Sequence, residues 1–282
     1  MKALSTLTKS KKGTKMPNAK DAPLEVFTVC NVGGTGSGKT LGLLTLPGKK
    51  FDYIFDPNAL KTLRGHDVDY ETFIPEHLDL DAVTLAVKER DTLSKPPEPK
   101  SYIEFESHLE SHLKDGFFDP YTVIGIDSIT TLTAVTLDRI QFLNKRFGEH
   151  PTIADNVATV NTLIRVFRTL LSFNKIVYVT GHVDYKQEEG SGRMMNVMYF
   201  LGGLRKRLPI LFSEVWLSYG DEDSNGKMHY FVRTQQNRYN PYLRCSSRFI
   251  NPVEDVTIDW DKPLEGQGIG GLLERQTIAQ GG

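Results

Sequence analysis

The glycine-rich stretch at residues 33–40 is the sequence feature that most limits what this chain can fold into. It reads GGTGSGKT and fits the pattern G-x-x-x-x-G-K-[ST], in which glycines allow several backbone N–H groups to point at one anion. An apolar run at 26–30 precedes it and the run LGLL at 41–44 follows, so strand, loop and helix occur in the order that a phosphate-binding loop requires. In such a loop Lys39 contacts the β- and γ-phosphates and the Thr40 hydroxyl reaches Mg²⁺. A glycine-rich turn that matches by chance is the alternative, but the flanks favour a nucleotide-binding loop.

Composition limits the class of protein around this loop. With 282 residues, 39% of them hydrophobic, the chain can bury a full core, and we expect one domain with tails. Its two cysteines, Cys30 and Cys245, lie far apart, which argues against a disulfide scaffold or a zinc cluster. No apolar stretch approaches the length of a membrane span, and no apolar signal core follows the N-terminus. We therefore expect a cytoplasmic protein with no membrane partner.

The two ends differ in composition from the middle of the chain. Residues 1–23 contain six lysines and one acid, a net charge of about +5, and they lack apolar periodicity. They are expected to form a basic flexible tail, whose role is either solubility or a contact with nucleic acid or another subunit. Residues 264–282 are glycine-rich and are expected to form a flexible tail that frays. The domain should therefore occupy residues 24–263.

Strands and helices alternate between these ends, which favours an α/β fold with a mostly parallel central sheet flanked by helices. Buried strands are expected at residues 51–56, 121–128 and 176–180. Helices are expected at 77–90, 102–113, 129–147 and 153–173, with a surface loop at 94–99. The segment 183–203 is punctuated by glycines and is typical of a flexible loop. Antiparallel strands should then extend the sheet: a hairpin through Asn225-Gly226 joining 212–219 to 228–234, and one more strand at 242–250.

Two strand ends carry polar residues that suit a nucleotide site. Asp127 ends a strand just before Ser128, where a carboxylate orients Mg²⁺ opposite Thr40. The alternative for Asp127 is a helix cap. His182 follows the strand at 176–180, on the nucleotide side of such a sheet, and is expected to sense or polarise the γ-phosphate or its attacking water. An ordinary loop histidine is the alternative there.

Three consecutive cations, Arg205, Lys206 and Arg207, follow the glycine-punctuated segment. A flexible loop that lies beside the γ-phosphate and ends in three cations suits the binding of a phosphate backbone. A solvated basic turn is the alternative.

The motifs of the chain occur in a known order. They are the loop ending Gly38-Lys39-Thr40, the strand end Asp127-Ser128, a helix pair with a short basic break, the strand end Thr180-Gly181-His182, a flexible loop and the late stretch Gln236-Asn237-Arg238. In this order the chain resembles the RecA-like ATPases, and most closely the small bacteriophage RecA-like proteins associated with single-strand annealing and recombination. The resemblance covers roughly residues 24–250. It implies a RecA-like P-loop NTPase core that hydrolyses ATP with Mg²⁺ and is stimulated by DNA.

The resemblance also implies partners and further site residues. Members of the family bind single-stranded DNA and assemble head to tail as rings or filaments, so the expected partners are single-stranded DNA, further copies of this chain and a single-strand-binding protein. The family's DNA-contacting segments correspond to the break at Lys145-Arg146 and to residues 183–203. Its catalytic glutamate follows the second strand, where this chain has Asp56-Pro57-Asn58, so Asp56 is expected to substitute for it. Its trans-acting cation falls at Arg238, and the alternative is that Arg238 pairs locally or packs on Tyr239.

The expected site residues fall into three groups. The catalytic residues are Lys39, Asp56, Asp127, His182 and Arg238, with Thr40 and Asp127 as metal ligands. The nucleotide-binding residues are Gly33, Gly34, Thr35, Gly36, Ser37, Gly38, Lys39, Thr40 and Leu41. The DNA-binding residues are Lys145, Arg146, Arg193, Arg205, Lys206 and Arg207.

Two other functions share the same phosphate loop. One is an ATPase that acts on protein partners, such as a helicase loader or a packaging or assembly factor. The other is a phosphoryl-transfer enzyme for small molecules. Small kinases usually bring an arginine-rich lid over the phosphates, whereas the cations of this chain lie in a loop and a late hairpin, which suits DNA or a neighbouring subunit better.

Overall fold

The described part of the chain, residues 26–75, 98–188 and 190–279 of a computed structural model, alternates strands and helices around one sheet. The strands are β1 Thr28–Gly33, β2 Lys50–Ile54, β3 Asp69–Thr72, β4 Val123–Asp127, β5 Ile176–Gln187, β6 Met194–Met198, β7 Glu214–Glu222, β8 Met228–Arg233 and β9 Val253–Asp255. The helices are α1 Lys39–Leu44, α2 Ala59–Leu63, α3 Lys100–Lys114, α4 Ile129–Leu143, α5 Ile153–Leu171, α6 Gly202–Leu211 and α7 Gly268–Ala279. No helix in these described ranges is both long enough and apolar enough to cross a membrane.

The strand order places the glycine-rich loop near the middle of the sheet. The order is β3-β2-β4-β5-β1-β7-β8-β9, and β6 pairs with the far end of β5. The strands from β3 to β7 in this order run parallel, whereas the pairings β5–β6, β7–β8 and β8–β9 are antiparallel. This confirms the predicted α/β fold, with a mostly parallel central sheet flanked by helices and extended by antiparallel C-terminal strands. The β7–β8 hairpin turns through Asn225 and Gly226, as predicted.

Helices cover both faces of the parallel sheet, as such sheets require. One face packs against α3, α4, α5 and α6, with a core that includes Phe105, Leu132, Leu163, Phe167 and Leu204. The other packs against α1, α2 and α7, with a core that includes Leu43, Leu63, Trp216, Leu272 and Leu273. Successive residues of a strand point alternately into the two cores. A polar side chain inside one of these strands is therefore buried, and it needs a hydrogen-bond partner or a role in the site.

The structure corrects the prediction of a flexible loop at residues 183–203. β5 continues past His182 to Gln187, and β6 returns beside it as an antiparallel hairpin. Gly190 and Gly192, both at positive φ, lie in the turn of this hairpin. The glycines therefore mark a tight turn between two strands, and the three consecutive cations that follow lie on the helix α6.

Two predictions about the C-terminal part are also wrong. The segment 242–250 is not a strand, because its pairing with the sheet is an isolated bridge between Val215 and Arg244. Residues 264–282 were expected to fray, but α7 occupies 268–279 and buries Ile269, Leu272 and Leu273 against the core beside α1. Apolar residues at helical spacing thus outweigh the glycines in this segment.

Some predictions lie outside the described residues. These are the basic tail at 1–23, the helix at 77–90 and most of the loop at 94–99.

A buried carboxylate in β2 opposes the stability of the sheet. Asp52 is 1% exposed, and neither of its carboxylate oxygens has a hydrogen-bond partner among the described residues. Burial, and secondarily the charge of Asp127, holds the pKa of Asp52 well above its ordinary value. The folded chain therefore keeps a proton that the unfolded chain releases, so this group lowers stability increasingly as the pH rises above the ordinary aspartate pKa of about 4.

Asp52→Asn is expected to stabilise the chain at neutral and alkaline pH. The amide has the size of the carboxyl group without its charge, so the gain in Tm should be small near pH 4 and should grow to at least about 2 °C near pH 8. Thermal unfolding followed by circular dichroism across this range measures the effect. The matched control is Asp67→Asn, at an exposed position, which should leave the pH dependence unchanged. A gain in Tm that does not vary with pH would contradict the conclusion that ionisation of Asp52 lowers the stability of the chain.

Candidate nucleotide-binding site

The loop at residues 33–40 folds as the sequence predicts. It leaves the end of β1 and enters α1, whose first intrahelical hydrogen bond runs from the N–H of Gly42 to the carbonyl oxygen of Gly38 at 3.0 Å. Gly36 and Gly38 have φ of 75° and 81°, a region that favours glycine. A Cβ added at Gly34 or Gly36 would meet nothing within 4 Å, so the loop is open on its outer side. The N–H groups that precede Gly42 have no acceptor within the helix and are placed to bind phosphate oxygens.

Lys39 holds its amine inside this loop. Its Nζ donates hydrogen bonds to the carbonyl oxygens of Gly33 at 3.1 Å and Gly34 at 2.6 Å, and the residue is 7% exposed. Burial lowers the pKa of Lys39, and the charges of Asp127 and Asp56 partly offset that effect. The ammonium group is therefore held against the phosphate loop and lies close to two carboxylates.

Asp127 ends β4 between two threonine hydroxyls. Thr40 Oγ1 donates to one carboxylate oxygen and Thr180 Oγ1 to the other, each at 2.5 Å. The cap of the following helix is Ser128, whose hydroxyl oxygen accepts from the N–H of Thr131 at 3.4 Å. The capping role that was the alternative for Asp127 is thus filled by the next residue, and the Asp127 carboxylate faces the phosphate loop.

The oxygens of Thr40 and Asp127 fit Mg²⁺, which prefers hard oxygen ligands. Bound there, the ion would neutralise charge on phosphate oxygens. Burial raises the pKa of Asp127, although hydrogen bonds from Thr180 and Thr40 act in the opposite direction. A nearby cation favours the ionised form of a carboxylate, so a buried Asp127 suits the role of a metal ligand.

A second carboxylate, Asp56, faces the same cleft and contacts His182. Asp56 lies just after β2, and its Oδ2 is 3.0 Å from Nε2 of His182. Its Oδ1 accepts hydrogen bonds from the hydroxyls of Ser128, at 2.9 Å, and Thr131. The backbone N–H of His182 in turn donates to Thr130 Oγ1 at 2.9 Å. Residues that follow the ends of β2 and β4 therefore meet His182, which lies in the middle of β5.

These contacts keep Asp56 ionised. Burial raises the pKa of Asp56, but hydrogen bonds from His182, Thr131 and Ser128 together outweigh burial, and the pKa lies below its ordinary value. Asn58, two residues later, also lines the cleft but is exposed at its edge and carries no charge. Asp56 is thus a carboxylate that can orient a water molecule or accept its proton, with His182 as its partner.

A buried network attaches the loop to the sheet. Asn31 Nδ2 donates to the Tyr178 hydroxyl at 2.7 Å, and that hydroxyl donates to the carbonyl oxygen of Lys39 at 2.8 Å. Ser218 Oγ donates to Asn31 Oδ1 at 2.8 Å. A Cβ at Gly33 would lie 2.3 Å from the carbonyl oxygen of Ser218, so glycine is required where β1 and β7 approach. The position of Lys39 is therefore set by β1, β5 and β7 together.

The cleft formed by these elements has a volume of about 570 Å³. Of the residues predicted from sequence, it is lined by Thr35, Gly36, Ser37, Gly38, Lys39, Thr40, Leu41, Asp56, Asp127 and His182. The sequence analysis assigns no role in the site to Thr180, Thr131 or Tyr230. The role of Thr180 is indicated by sequence, because it is a polar residue at the end of an apolar run. No pattern in the sequence indicates Tyr230, which reaches the cleft from β8 and whose ring would lie 3.4 Å from a Cβ at Gly38.

The residues predicted to bind DNA are dispersed. Arg146 forms an ion pair with the buried Asp155, which attaches the α4–α5 connection to the start of α5, and the neighbouring Lys145 adopts a positive φ. Arg193 pairs with Glu188 at 2.7 Å across the β5–β6 turn. The other three predicted cations lie on α6.

Arg238 lies away from the cleft of its own chain. It is exposed, and its guanidinium lies 4.6 Å from the centroid of the Tyr239 ring. The packing on Tyr239 that was considered for Arg238 therefore occurs, and Arg238 is not among the described residues that line the cleft.

Comparisons with known proteins give structural likenesses at low identity. No model of a known protein family matches the sequence, and no curated protein matches it. The KaiC-like protein PH0186 from the hyperthermophilic archaeon Pyrococcus horikoshii OT3 aligns with 15% identity and a TM-score of 0.39, over 77% of this chain and 82% of that one. The flagellar accessory protein FlaH from Methanocaldococcus jannaschii aligns with 10% identity and a TM-score of 0.38, over 83% and 86%. The phosphate loop after a central parallel strand, with Asp127 at the end of β4, is the α/β P-loop architecture that the sequence predicts.

Proposed function

We propose that this chain is a Mg²⁺-dependent ATPase of the RecA type that binds single-stranded DNA and acts in phage-type recombination or strand annealing. One observation carries the proposal: β5 runs from His182, which contacts Asp56 in the cleft, directly into an exposed hairpin. A site for phosphates and a surface for a second ligand thus share one strand.

The roles in hydrolysis follow from the contacts. Lys39 is placed to neutralise charge on the β- and γ-phosphates, and Thr40 and Asp127 are placed to hold Mg²⁺. Asp56 is ionised and would orient the attacking water or accept its proton, while His182 fixes Asp56 and faces the same cleft. The buried threonine and serine hydroxyls around both carboxylates hold them in one orientation.

The hairpin of β5 and β6 supports the DNA-binding part of the proposal. Its exposed side chains include Tyr185, 69% exposed, and Lys186, and Tyr199 just beyond β6 is 57% exposed. Aromatic rings with nearby cations are the usual means of binding single strands, because every base can stack on a ring.

Self-association is part of the proposal. We infer that chains assemble head to tail and that Arg238, exposed and outside its own cleft, completes the site of a neighbour. If each site needs a neighbouring chain, the activity per chain rises with protein concentration. Steady-state ATP hydrolysis over a range of protein concentrations measures this dependence. Activity per chain that is constant over a wide range of concentration would contradict this part.

Single-stranded DNA is expected to stimulate ATP hydrolysis through the hairpin. Steady-state hydrolysis and fluorescence anisotropy with labelled oligothymidylate measure rate and affinity. Tyr185→Ser should weaken DNA binding at least about fivefold, because base–aromatic stacking contributes about 1–3 kcal/mol per base. Tyr70→Ser is the matched control, since Tyr70 is 51% exposed on the edge strand β3, outside the hairpin. If oligothymidylate neither binds nor changes the rate, an ATPase that acts on protein partners becomes the better assignment.

A further inference from the structure

A second concave surface lies outside the nucleotide cleft. This basic groove, of about 620 Å³, lies between α6 and the segment 241–245, and it shares no lining residue with the cleft. The residues that matter for its chemistry are Arg205, Lys206, Gln235, Gln236, Tyr242 and Arg244. Its described lining contains three cations and no carboxylate.

The cations of the basic groove are available to a ligand. Among the described residues, Lys206 and Arg244 have no ion pair and no side-chain hydrogen bond. Arg205 uses Nε to donate to the carbonyl oxygen of Phe200 at 2.7 Å, which orients its guanidinium, and its two terminal nitrogens bond to no other residue that the structure describes. Glu214 is buried near Cys245 at the back of the groove, but its oxygens already accept hydrogen bonds from the neighbouring Trp216 and Ser246.

The three consecutive cations of α6 do not act as one patch. Arg207 Nη1 donates to Asn161 Oδ1 on α5 at 2.8 Å, so Arg207 points away from the basic groove. The third cation of the groove is Arg244, far along the chain, whose backbone pairs in both directions with Val215 of β7. This pairing fixes Arg244 opposite α6.

Amide side chains add hydrogen-bonding groups to the basic groove. The Gln235 and Gln236 amides are exposed in its lining, and amides of this kind can bond base edges as well as phosphates. The ring of Tyr242 lines the same wall, but its hydroxyl is buried on the core side near Cys30 and does not face the groove.

The groove continues from the hairpin of β5 and β6. The N–H of Asn196 on β6 donates to the carbonyl oxygen of Tyr239 at 3.0 Å, and Asn196 Nδ2 donates to Asn240 Oδ1 at 2.7 Å. The groove wall starts at the next residue, Pro241. A strand stacked on the hairpin would therefore meet the groove next, and this continuity favours nucleic acid over an acidic peptide.

We propose that the basic groove binds the phosphate backbone of single-stranded DNA that leaves the hairpin, with Arg244 and Lys206 as phosphate contacts and Arg205 beside them. This rests on the proposed DNA-binding function and adds to it a phosphate-binding residue, Arg244, that no sequence motif indicates.

The test measures the affinity of the full-length chain for labelled oligothymidylate as a function of salt. Arg244→Gln and Lys206→Gln should each reduce the slope of log K against log salt by about 0.7. If a variant and the original chain extrapolate to the same affinity at 1 M salt, the variant then binds about fivefold more weakly at 0.1 M salt. Arg244→Lys should retain most of the slope. Arg207→Gln is the matched control on the same helix and should bind like the original chain. Equal thermal unfolding of all variants shows that they fold.

The outcomes separate this inference from the proposed function. If Tyr185→Ser weakens binding while Arg244→Gln and Lys206→Gln leave the slope unchanged, DNA binding stands and the groove proposal is overturned. If the original chain does not bind oligothymidylate, both fail. If polyglutamate displaces oligothymidylate at equal charge concentration and loses affinity in the Arg244→Gln variant, the groove belongs to an acidic protein partner and the nucleic-acid proposal is overturned.

Discussion

Replacement of Lys39 by alanine is expected to reduce ATP hydrolysis severely while the chain remains folded. The Lys39 amine contacts carbonyl oxygens of its own loop, so its loss removes little from the core, but it removes the cation that faces the phosphates. Loss of one such preorganised contact lowers turnover by about 10²–10³-fold. Steady-state hydrolysis together with equilibrium binding of a fluorescent ATP analogue measures the effect.

A matched control exists for the general cost of removing a buried lysine. Lys50 is also 7% exposed, and its Nζ donates to the carbonyl oxygen of Gly48, outside the cleft. Lys50→Ala should therefore change stability more than turnover. Hydrolysis by Lys39→Ala at the rate of the original chain would remove the basis for the proposed nucleotide site.

Asp56→Asn is expected to separate nucleotide binding from hydrolysis. The amide keeps the size of the side chain but cannot accept a proton, so binding should persist while turnover falls by about 10²–10⁴-fold, the usual range for a general base. The lowered pKa of Asp56 adds a further check. Because the carboxyl group stays ionised at every pH above its ordinary value of about 4, the loss should be equal across the neutral range.

Asn58→Ala provides the comparison for Asp56, because Asn58 lines the same cleft without charge and without a place in the hydrogen-bonded cluster. It should retain most of the turnover. A larger loss in Asn58→Ala than in Asp56→Asn would transfer the role of orienting water to Asn58. Tight binding of the ATP analogue by Asp56→Asn confirms that the site is intact in the variant.

Sequence alone predicts the parts of the site that are local. The phosphate loop is recognisable because eight consecutive residues carry its geometry, and Asp127 is recognisable because a strand end is marked by the last residue of an apolar run. The contact between Asp56 and His182 is not local. It depends on β4 lying between β2 and β5, and strand order leaves no mark on residues that are 126 positions apart in the chain.

The wrong predictions each have a physical cause. Glycines suggest mobility at 183–203 and 264–282, but Gly190 and Gly192 lie in a tight turn between two strands, and Gly270 and Gly271 lie inside the helix α7. The opposite error concerns 242–250, where the sequence predicts a strand and the structure has irregular chain. Leu243 and Ile250 belong to an irregular segment and are nevertheless buried, because a side chain can pack on an existing core without a ladder of backbone hydrogen bonds.

The unbroken course of β5 has a mechanical consequence. Its 12 residues pair with β1 as far as His182 and with β6 from Val183 onward, so no loop separates the cleft from the exposed hairpin. Within the hairpin, β5 pairs with β6 alone among the described strands, and a bend there would break hydrogen bonds of that ladder. A rotation of the backbone at His182 would therefore carry the hairpin as one unit, and the displacement would be largest at its tip.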